Sequence, residues 1–228
     1  MPDIPAIASV AHARGALVID DNTWATPLFH RSLEQGVDIS MQAATKYIGG
    51  HSDIMFGTIS ANAKAWPLVA DAIQQLGVCA GPDDVFLAIR GLRTLAVRLA
   101  QHHRSGLEMA RWLAARPEVA RVLHPALESD PGHAIWKRDY LGASGLFGVE
   151  LAPCGQRQLA AFIDSLELFA LGYSWGGFDS LVVPQNIQKS RSVRPWAGGP
   201  LIRLHVGLED PEDLCADLAR GFEALRRA

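Results

Sequence analysis

Apolar and polar positions along the first third of the chain follow a helix–strand order. Residues Ile4–Arg14 carry apolar side chains three and four positions apart, which predicts a helix, and Gly15 ends it. Short apolar runs at Ala16–Asp21 and Val37–Thr45 are typical of buried strands, and a third strand is predicted at Ile54–Ala61. Strands that alternate with helical segments favour parallel pairing, so we expect an α/β sheet.

A long helix is predicted next, from Pro82 to Ala115. Its apolar positions recur at helical spacing: Phe86, Ile89, Leu92, Leu95 and Leu99. Its other side carries basic residues: Arg90, Arg93, Arg98, His102, His103 and Arg104. Such a side could contact nucleic acid, but a stripe that faces solvent or another subunit agrees better with the formal net charge of −3.

The rest of the chain predicts a smaller second α/β unit, because short apolar runs alternate there with helical segments. The last helix has a clear start signal, with Asp210 as its N-cap and Pro211 at its first position. We place the boundary near Leu92, inside the long helix, which divides the chain into residues 1–92 and 93–228.

Composition narrows the classes of function. Hydrophobic residues make up 49% and charged residues 20%, as in globular proteins, and the net charge gives no basic field for nucleic acid or anionic membranes. No apolar run reaches the ~18 residues of a membrane span. Cys79, Cys154 and Cys215 are widely spaced, which indicates free thiols in a reducing cytoplasm. No metal-binding spacing is present, and we interpret His51 and His205 as structural.

The candidate chemistry centres on one lysine. Lys46 lies just after the second predicted strand, and Asp21 ends the first. Ligands bind beyond the carboxyl ends of parallel strands, so both side chains should face one crevice. A desolvated lysine amine is a nucleophile and a carboxylate can hold a protonated pyridine nitrogen, which are the two requirements of pyridoxal phosphate. Alternatively, Asp21 caps the next helix and Lys46 is an ordinary strand-end residue.

Longer motifs favour the cofactor. The chain contains, in order, "IDDNTWATP", "QAATKYIGGHSD", "RGLRTLAVRLAQHH", "YSWGGFDSL" and "IRLHVGLED". In these it resembles the pyridoxal-phosphate enzymes of transsulfuration, the cystathionine synthase and lyase family. The resemblance implies that Asp21 pairs with the pyridine nitrogen, that Lys46 forms the Schiff base with the cofactor, and that Thr45 contacts the phosphate.

The same resemblance implies the fold and the substrate contacts. The expected fold is the C-terminal part of a fold-type I, aspartate aminotransferase-like enzyme: an incomplete large-domain sheet over 1–92 and a small α/β domain over 93–228. Arg203 lies in mid-strand, and its planar guanidinium suits a carboxylate. The family's matching arginine binds the α-carboxylate of the amino-acid substrate. Ser174, Trp175 and Tyr173 match residues that line the same site, although a core tyrosine is an alternative for Tyr173.

Two details resemble the cystathionine β-lyase branch, namely the run Ala43–Lys46 and the run Ser174–Gly177. That branch implies cleavage of L-cystathionine to L-homocysteine, pyruvate and ammonia in methionine biosynthesis, with Lys46 taking the Cα proton and helping to protonate the leaving sulfur. The alternative that the chain is another cysteine-S-conjugate lyase of the family stays open. The family further implies a cytoplasmic homo-oligomer, a homotetramer, with no nucleic-acid or membrane partner.

Family members carry a large N-terminal portion before the region that matches Ile4. That portion supplies a phosphate-binding glycine loop and an aromatic residue stacked on the cofactor ring. We therefore expect this chain to correspond to the C-terminal part of a β-lyase, to bind the cofactor weakly by itself, and to leave a sheet edge and apolar faces exposed. An inactive remnant or an interaction module is the alternative.

Overall fold

A computed structural model of the chain describes residues 1–187, 190, 192–193 and 195–228. The chain packs into two compact units, the first formed by Met1–Leu99 with Pro131–Ala143 and the second by Ala100–Asp130 with Ser144–Ala228. The domain division at Leu92 stays a prediction, since packing units and functional domains need not coincide. The units differ from it by seven residues of the long helix and by the returning segment 131–143.

The first unit contains a three-stranded sheet. Its elements up to Leu76 are α1 (Ile4–His12), β1 (Ile19–Asp21), α2 (Thr26–Phe29), a 3-10 turn (Ser32–Gln35), β2 (Ile39–Ala43), β3 (Gly57–Ala61) and α3 (Trp66–Leu76). The strand order is β1-β2-β3, and β1 pairs with β2 in parallel, as predicted. The prediction that β3 is also parallel is wrong. Residues 44–56 form turns and extended chain without a crossover helix, so the chain reverses direction.

The two faces of this sheet differ in polarity. Ser40 and Gln42 point to one face and are buried. The other face exposes apolar side chains, with Ile19 62%, Met41 38% and Ile59 48% accessible to solvent. The predicted exposed apolar face is therefore present in this structure.

Helix α4 (Pro82–Ala114) follows the prediction to within one residue. The predicted orientation of its side chains is right in part, since Leu95 and Leu99 are buried and Arg93 is exposed. Other positions depart from it. Phe86 and Ile89 are 66% and 47% exposed, whereas Arg98 and His102, expected on the outer side, are 7% and 0% exposed. Helical spacing locates a helix. When both of its faces carry apolar residues, as in α4, the spacing does not decide which face is buried against the rest of the protein.

A returning segment completes the first unit and contains α5 (His133–Asp139). The N–H of Leu141 donates to the carbonyl of Phe29 at 2.8 Å. The rings of His30 and Tyr140 stack with their centroids 4.2 Å apart. These contacts join positions more than a hundred residues apart, so no local pattern predicts them.

The second unit is an α/β unit, as predicted, but it is not the smaller of the two, because its ranges Ala100–Asp130 and Ser144–Ala228 together slightly exceed those of the first unit. Its elements beyond α4 are β4 (Val119–Leu123), β5 (Leu146–Leu151), α6 (Gln156–Asp164), β6 (Ala170–Leu171), β7 (Leu181–Gln185), β8 (Leu201–His205) and α7 (Pro211–Arg227). The sheet order is β4-β5-β8-β7-β6, antiparallel except between β6 and β7. Helices α6 and α7 meet through Phe162 and Phe222, with ring centroids 5.0 Å apart. Asp210 caps α7 as predicted, accepting a 2.8 Å bond from the Glu212 N–H.

Over the residues that the structure describes, no helix combines the length and the apolar character that crossing a membrane requires. The same residues contain no cluster of three or more His, Cys, Asp or Glu side chains that could hold a metal ion.

Candidate active site

Lys46 lies in a turn directly after β2, and its backbone is fixed on both sides. Its N–H donates to the carbonyl of Ala43 at 2.9 Å, and its carbonyl accepts from the Gly50 N–H at 2.7 Å. Gly50 has φ +74°, a backbone conformation that glycine adopts at low cost. The side chain of Lys46 is half-buried. The turn therefore presents the amine from a defined backbone position beyond the strand end.

Asp21 is the last residue of β1, and its carboxylate is exposed. Its Oδ1 accepts the Thr23 N–H at 3.0 Å and also the Thr23 hydroxyl. Helix α2 begins at Thr26 with Ala25 as N-cap, so the alternative that Asp21 caps this helix is wrong. Within the described part of the chain, Thr23 provides the hydrogen bonds to this carboxylate, which leaves Oδ2 available to accept a proton donor from a ligand.

Thr23 connects the two strand ends. Its hydroxyl oxygen accepts the Ala43 N–H at 2.8 Å, while its proton is donated to Asp21. Thr23 is 4% exposed. The carboxylate is thus tied to the last residue of β2, three positions before Lys46. Sequence reasoning missed this residue, although an Asp-x-Thr run after a strand is a signal for an Asx turn.

The hydroxyl of Thr45 is hydrogen-bonded to the backbone of Phe56, at the other end of the segment between β2 and β3. It accepts the Phe56 N–H at 3.0 Å and donates to the Phe56 carbonyl at 3.3 Å. The donated bond is beyond the usual range for O–H···O, so it is the weaker of the two. A phosphate oxygen is a stronger acceptor than a carbonyl, so the hydroxyl proton can turn to it without loss of the Phe56 N–H bond.

These groups can be compared with the requirements of pyridoxal phosphate. An anchored carboxylate with one oxygen available suits a protonated ring nitrogen, an amine suits the aldehyde carbon, and a hydroxyl suits the phosphate. Asp21 also borders a cavity of about 270 Å³ that Trp24, His30 and Tyr140 help to line, but Thr45 and Lys46 are not among its lining residues, so the fit rests on the chemistry of the three side chains. The residues present in the first unit therefore fit the cofactor.

The second unit contains the residues predicted to bind substrate. Arg203 lies at the centre of β8 and is half-buried. Its Nη2 donates to the carbonyl of Tyr173 and, at 3.5 Å, to that of Ser174. Burial lowers the pKa of Arg203. No carboxylate forms an ion pair with Arg203 among the described residues, and the acceptors of its Nη2 are backbone carbonyl oxygens.

The loop 173–177 is held by two residues of β8. His205, two positions beyond Arg203 on the same face of the strand, accepts the Gly176 N–H at 3.0 Å through Nε2. His205 is 1% exposed, which agrees with its structural interpretation. Tyr173 is 80% exposed, so the alternative of a core tyrosine is wrong. Ser174 is exposed and Trp175 half-buried.

The structure thus places the predicted cofactor residues in one unit and the predicted substrate residues in the other. Asp21, Thr45 and Lys46 belong to the first. Tyr173, Ser174, Trp175 and Arg203 belong to the second. Their roles stay predictions.

Comparison with known proteins identifies the family. The sequence model of the Cys/Met metabolism PLP-dependent enzymes matches residues 1–223. The chain therefore belongs to this family of pyridoxal-phosphate-dependent enzymes, which confirms the resemblance.

Individual relatives agree. The chain is 46% identical over 227 residues to cystathionine beta-lyase of Salmonella typhimurium and 45% identical over 227 residues to cystathionine beta-lyase MetC of Escherichia coli, in each case over 96% of this chain and 58% of the relative. A crystal structure of cystathionine gamma synthase from Xanthomonas oryzae in complex with cystathionine superposes with a TM-score of 0.89 at 32% identity, covering 100% of this chain and 60% of that one. The predicted fold class is confirmed. The chain spans about 58% of the length of the curated relatives it matches.

Proposed function

We propose that this protein is a cystathionine β-lyase, a pyridoxal-phosphate-dependent carbon–sulfur lyase that cleaves L-cystathionine to L-homocysteine, pyruvate and ammonia. The observation that carries the proposal is the connection of two strand ends: the Asp21 carboxylate is tied through Thr23 to Ala43, and Lys46 follows in the next turn. Two β-lyases that cover nearly the whole chain at 45–46% identity support the choice of branch. None of the relatives named above is described as an inactive remnant, so they do not favour that alternative.

Each residue has a chemical task. Lys46 would hold the cofactor through its ε-amine, Asp21 would keep a proton on the ring nitrogen, and the Thr45 hydroxyl would bind the phosphate. Bound pyridoxal phosphate supplies an electron sink for the negative charge that develops at the substrate Cα. Lys46 would take the Cα proton and deliver a proton to the sulfur as the Cβ–S bond breaks.

The second unit would hold the substrate. The guanidinium of Arg203 would exchange its bonds to the carbonyls of Tyr173 and Ser174 for the α-carboxylate of the amino acid. A charged acceptor forms a stronger hydrogen bond than a carbonyl, so this exchange is favourable. Tyr173, Ser174 and Trp175 would line the substrate side.

The experiment that tests the function has two parts. The chain is incubated with pyridoxal phosphate, reduced with borohydride and mapped by peptide mass spectrometry, and we expect the pyridoxyl group on Lys46. L-Cystathionine is added to a separate sample that is loaded with pyridoxal phosphate but not reduced, and the keto acid is identified. Pyruvate with homocysteine supports β-elimination, whereas 2-oxobutyrate with cysteine identifies a γ-lyase. A pyridoxyl group on another lysine refutes the assignment of Lys46.

We also propose that the chain self-associates. Apolar side chains at the start of α4, Phe86 at 66% and Leu92 at 54% exposure, support the proposal. Light scattering after size-exclusion chromatography measures the mass, and a monomer at all concentrations contradicts it.

A further inference from the structure

Arg98 is a buried cation that bonds only to neutral oxygen atoms. It is 7% exposed. Its Nη1 donates to the carbonyl of Tyr47 at 2.7 Å, and its Nη2 donates to the carbonyls of Ile48 at 3.2 Å and Gly91 at 2.7 Å. Its Nε donates to the Thr94 hydroxyl at 3.0 Å. Among the described residues no acidic side chain pairs with it.

Such a placement is unfavourable by itself. Burial disfavours the charged form and lowers the pKa of Arg98. A buried charge without a counter-ion is usually excluded from protein interiors. Hydrogen bonds from the whole guanidinium offset this cost here, and two of the acceptors are the carbonyls directly after Lys46 in the chain.

Close backbone packing between α4 and the turn that contains Lys46 holds this turn independently of the Arg98 hydrogen bonds. Gly91 on α4 lies so near the loop that a Cβ there would collide with the carbonyl oxygens of Ile48 and Gly49. Gly50, with φ +74°, lies against the guanidinium, and a Cβ at that position would collide with Arg98 Nη1. Two glycines and one arginine therefore join α4 to the turn that begins at Lys46.

We propose that Arg98 is a positioning residue, which fixes the backbone of Tyr47 and Ile48 and thereby holds the amine of Lys46 where it meets the cofactor. This inference rests on the proposed function of Lys46. The amine of the lysine leaves the cofactor and returns to it in every catalytic cycle. The backbone that carries this lysine must therefore stay in place, because small displacements of a reacting group reduce rates strongly. A guanidinium suits the task because its planar fork reaches two successive carbonyls at once, which an ammonium does not.

The test compares Arg98→Met and Arg98→Lys with two control variants on the same helix. Arg93→Met removes an exposed arginine, and Leu95→Ala destabilises the same unit from a position that is 3% exposed. Amide hydrogen exchange is measured in the cofactor-free chain. Arg98→Met should accelerate exchange of the Gly49 and Gly50 amides at least about tenfold, as expected when a charged hydrogen bond is lost.

The second measurement is the ratio of pyridoxyl labelling at Lys46 to that at Lys64, an exposed lysine in the turn before α3. Arg98→Met should lower this ratio at least about tenfold and Arg98→Lys should lower it less, whereas Arg93→Met and Leu95→Ala should leave it unchanged. An unchanged ratio in Arg98→Met, or an equal fall in Leu95→Ala, overturns the positioning role. A wild-type chain that does not prefer Lys46 over Lys64 overturns both the proposed function and this role, and the exchange data then show whether the loop is held at all.

Discussion

The hydroxyl oxygen of Thr23 accepts a hydrogen bond of 2.8 Å from the backbone N–H of Ala43, the last residue of β2. Because the same hydroxyl donates to Asp21, it joins the ends of two parallel strands. Thr23→Val keeps the shape but removes both bonds and leaves the Ala43 N–H unpaired. We expect a loss of about 2 kcal/mol in the free energy of unfolding, measured by urea denaturation. Thr23→Ser retains the hydroxyl and is the control. Equal stability of the two variants contradicts the prediction.

Asp21→Asn tests the carboxylate itself. Asparagine can still accept from the Thr23 N–H, so the fold should be retained, but it carries no charge to hold a proton on the pyridine nitrogen. We expect the affinity for pyridoxal phosphate to fall at least about tenfold, as for the loss of one charged hydrogen bond. Titration of the visible absorbance of the lysine-bound cofactor measures this affinity. Asp71→Asn, an exposed carboxylate on α3, should bind as the wild type does.

Arg203→Lys keeps the charge in mid-β8 but not the planar fork. If Arg203 binds the α-carboxylate in bidentate fashion, kcat/KM for cystathionine should fall at least about tenfold in Arg203→Lys and further in Arg203→Ala. Arg157→Ala, an exposed arginine on α6, is the matched control. An undiminished kcat/KM in a folded Arg203→Ala variant refutes the assignment.

The sequence predicted those features that depend on local pattern. Helix α4 follows from apolar positions that recur at helical spacing from Phe86 to Leu99, and the start of α7 follows from the Asp210 cap and Pro211. The parallel pairing of β1 with β2 follows from their separation by helical segments. The location of Asp21 at the end of β1 and of Lys46 just beyond β2 follows from the same order of strands and helices.

Features that depend on distant partners were not predictable. The burial of Arg98 depends on carbonyl acceptors fifty and fifty-one positions earlier in the chain. A basic residue on a helix face that carries both polar and apolar side chains is normally expected to be exposed, and the periodicity of the sequence does not show that Arg98 is buried. The direction of β3 depends on the path of a loop without regular structure, so the strand–helix order predicted a parallel β3 where the strand is antiparallel.

Gly91 provides a separate test of the contact between α4 and the Lys46 loop. In a helix interior alanine is favoured over glycine by about 1 kcal/mol, so Gly91→Ala would stabilise the protein if space allowed. A Cβ there would collide with the Ile48 and Gly49 carbonyls, so we expect a loss of about 1–3 kcal/mol instead. Ala96→Gly, at an exposed site on α4, calibrates helix propensity and should cost about 1 kcal/mol. Urea denaturation measures both, and a stabilised Gly91→Ala variant contradicts the close contact.

His124 should make the second unit sensitive to acid. Its ring is 0% exposed, and its Nδ1 accepts the Ala126 N–H at 3.2 Å. Within the described residues Nε2 has no hydrogen-bond partner. Burial, followed by the nearby positive charges of His103 and Arg111, lowers the pKa of His124 from 6.5 to about 4. In the unfolded chain His124 is therefore protonated below about pH 6.5, whereas in the folded chain it is protonated only below about pH 4.

The sign of the effect follows from this difference. The stability is fully present above pH 6.5 and is lost progressively as the pH falls toward 4, by about 3 kcal/mol in total. Urea denaturation at several pH values across this window should show a smaller loss in His124→Gln than in the wild type. His133→Gln, on α5 in the other unit, should lose as much stability as the wild type. A wild type and a His124→Gln variant that lose equal stability over this interval would show that His124 is protonated in the folded protein without penalty.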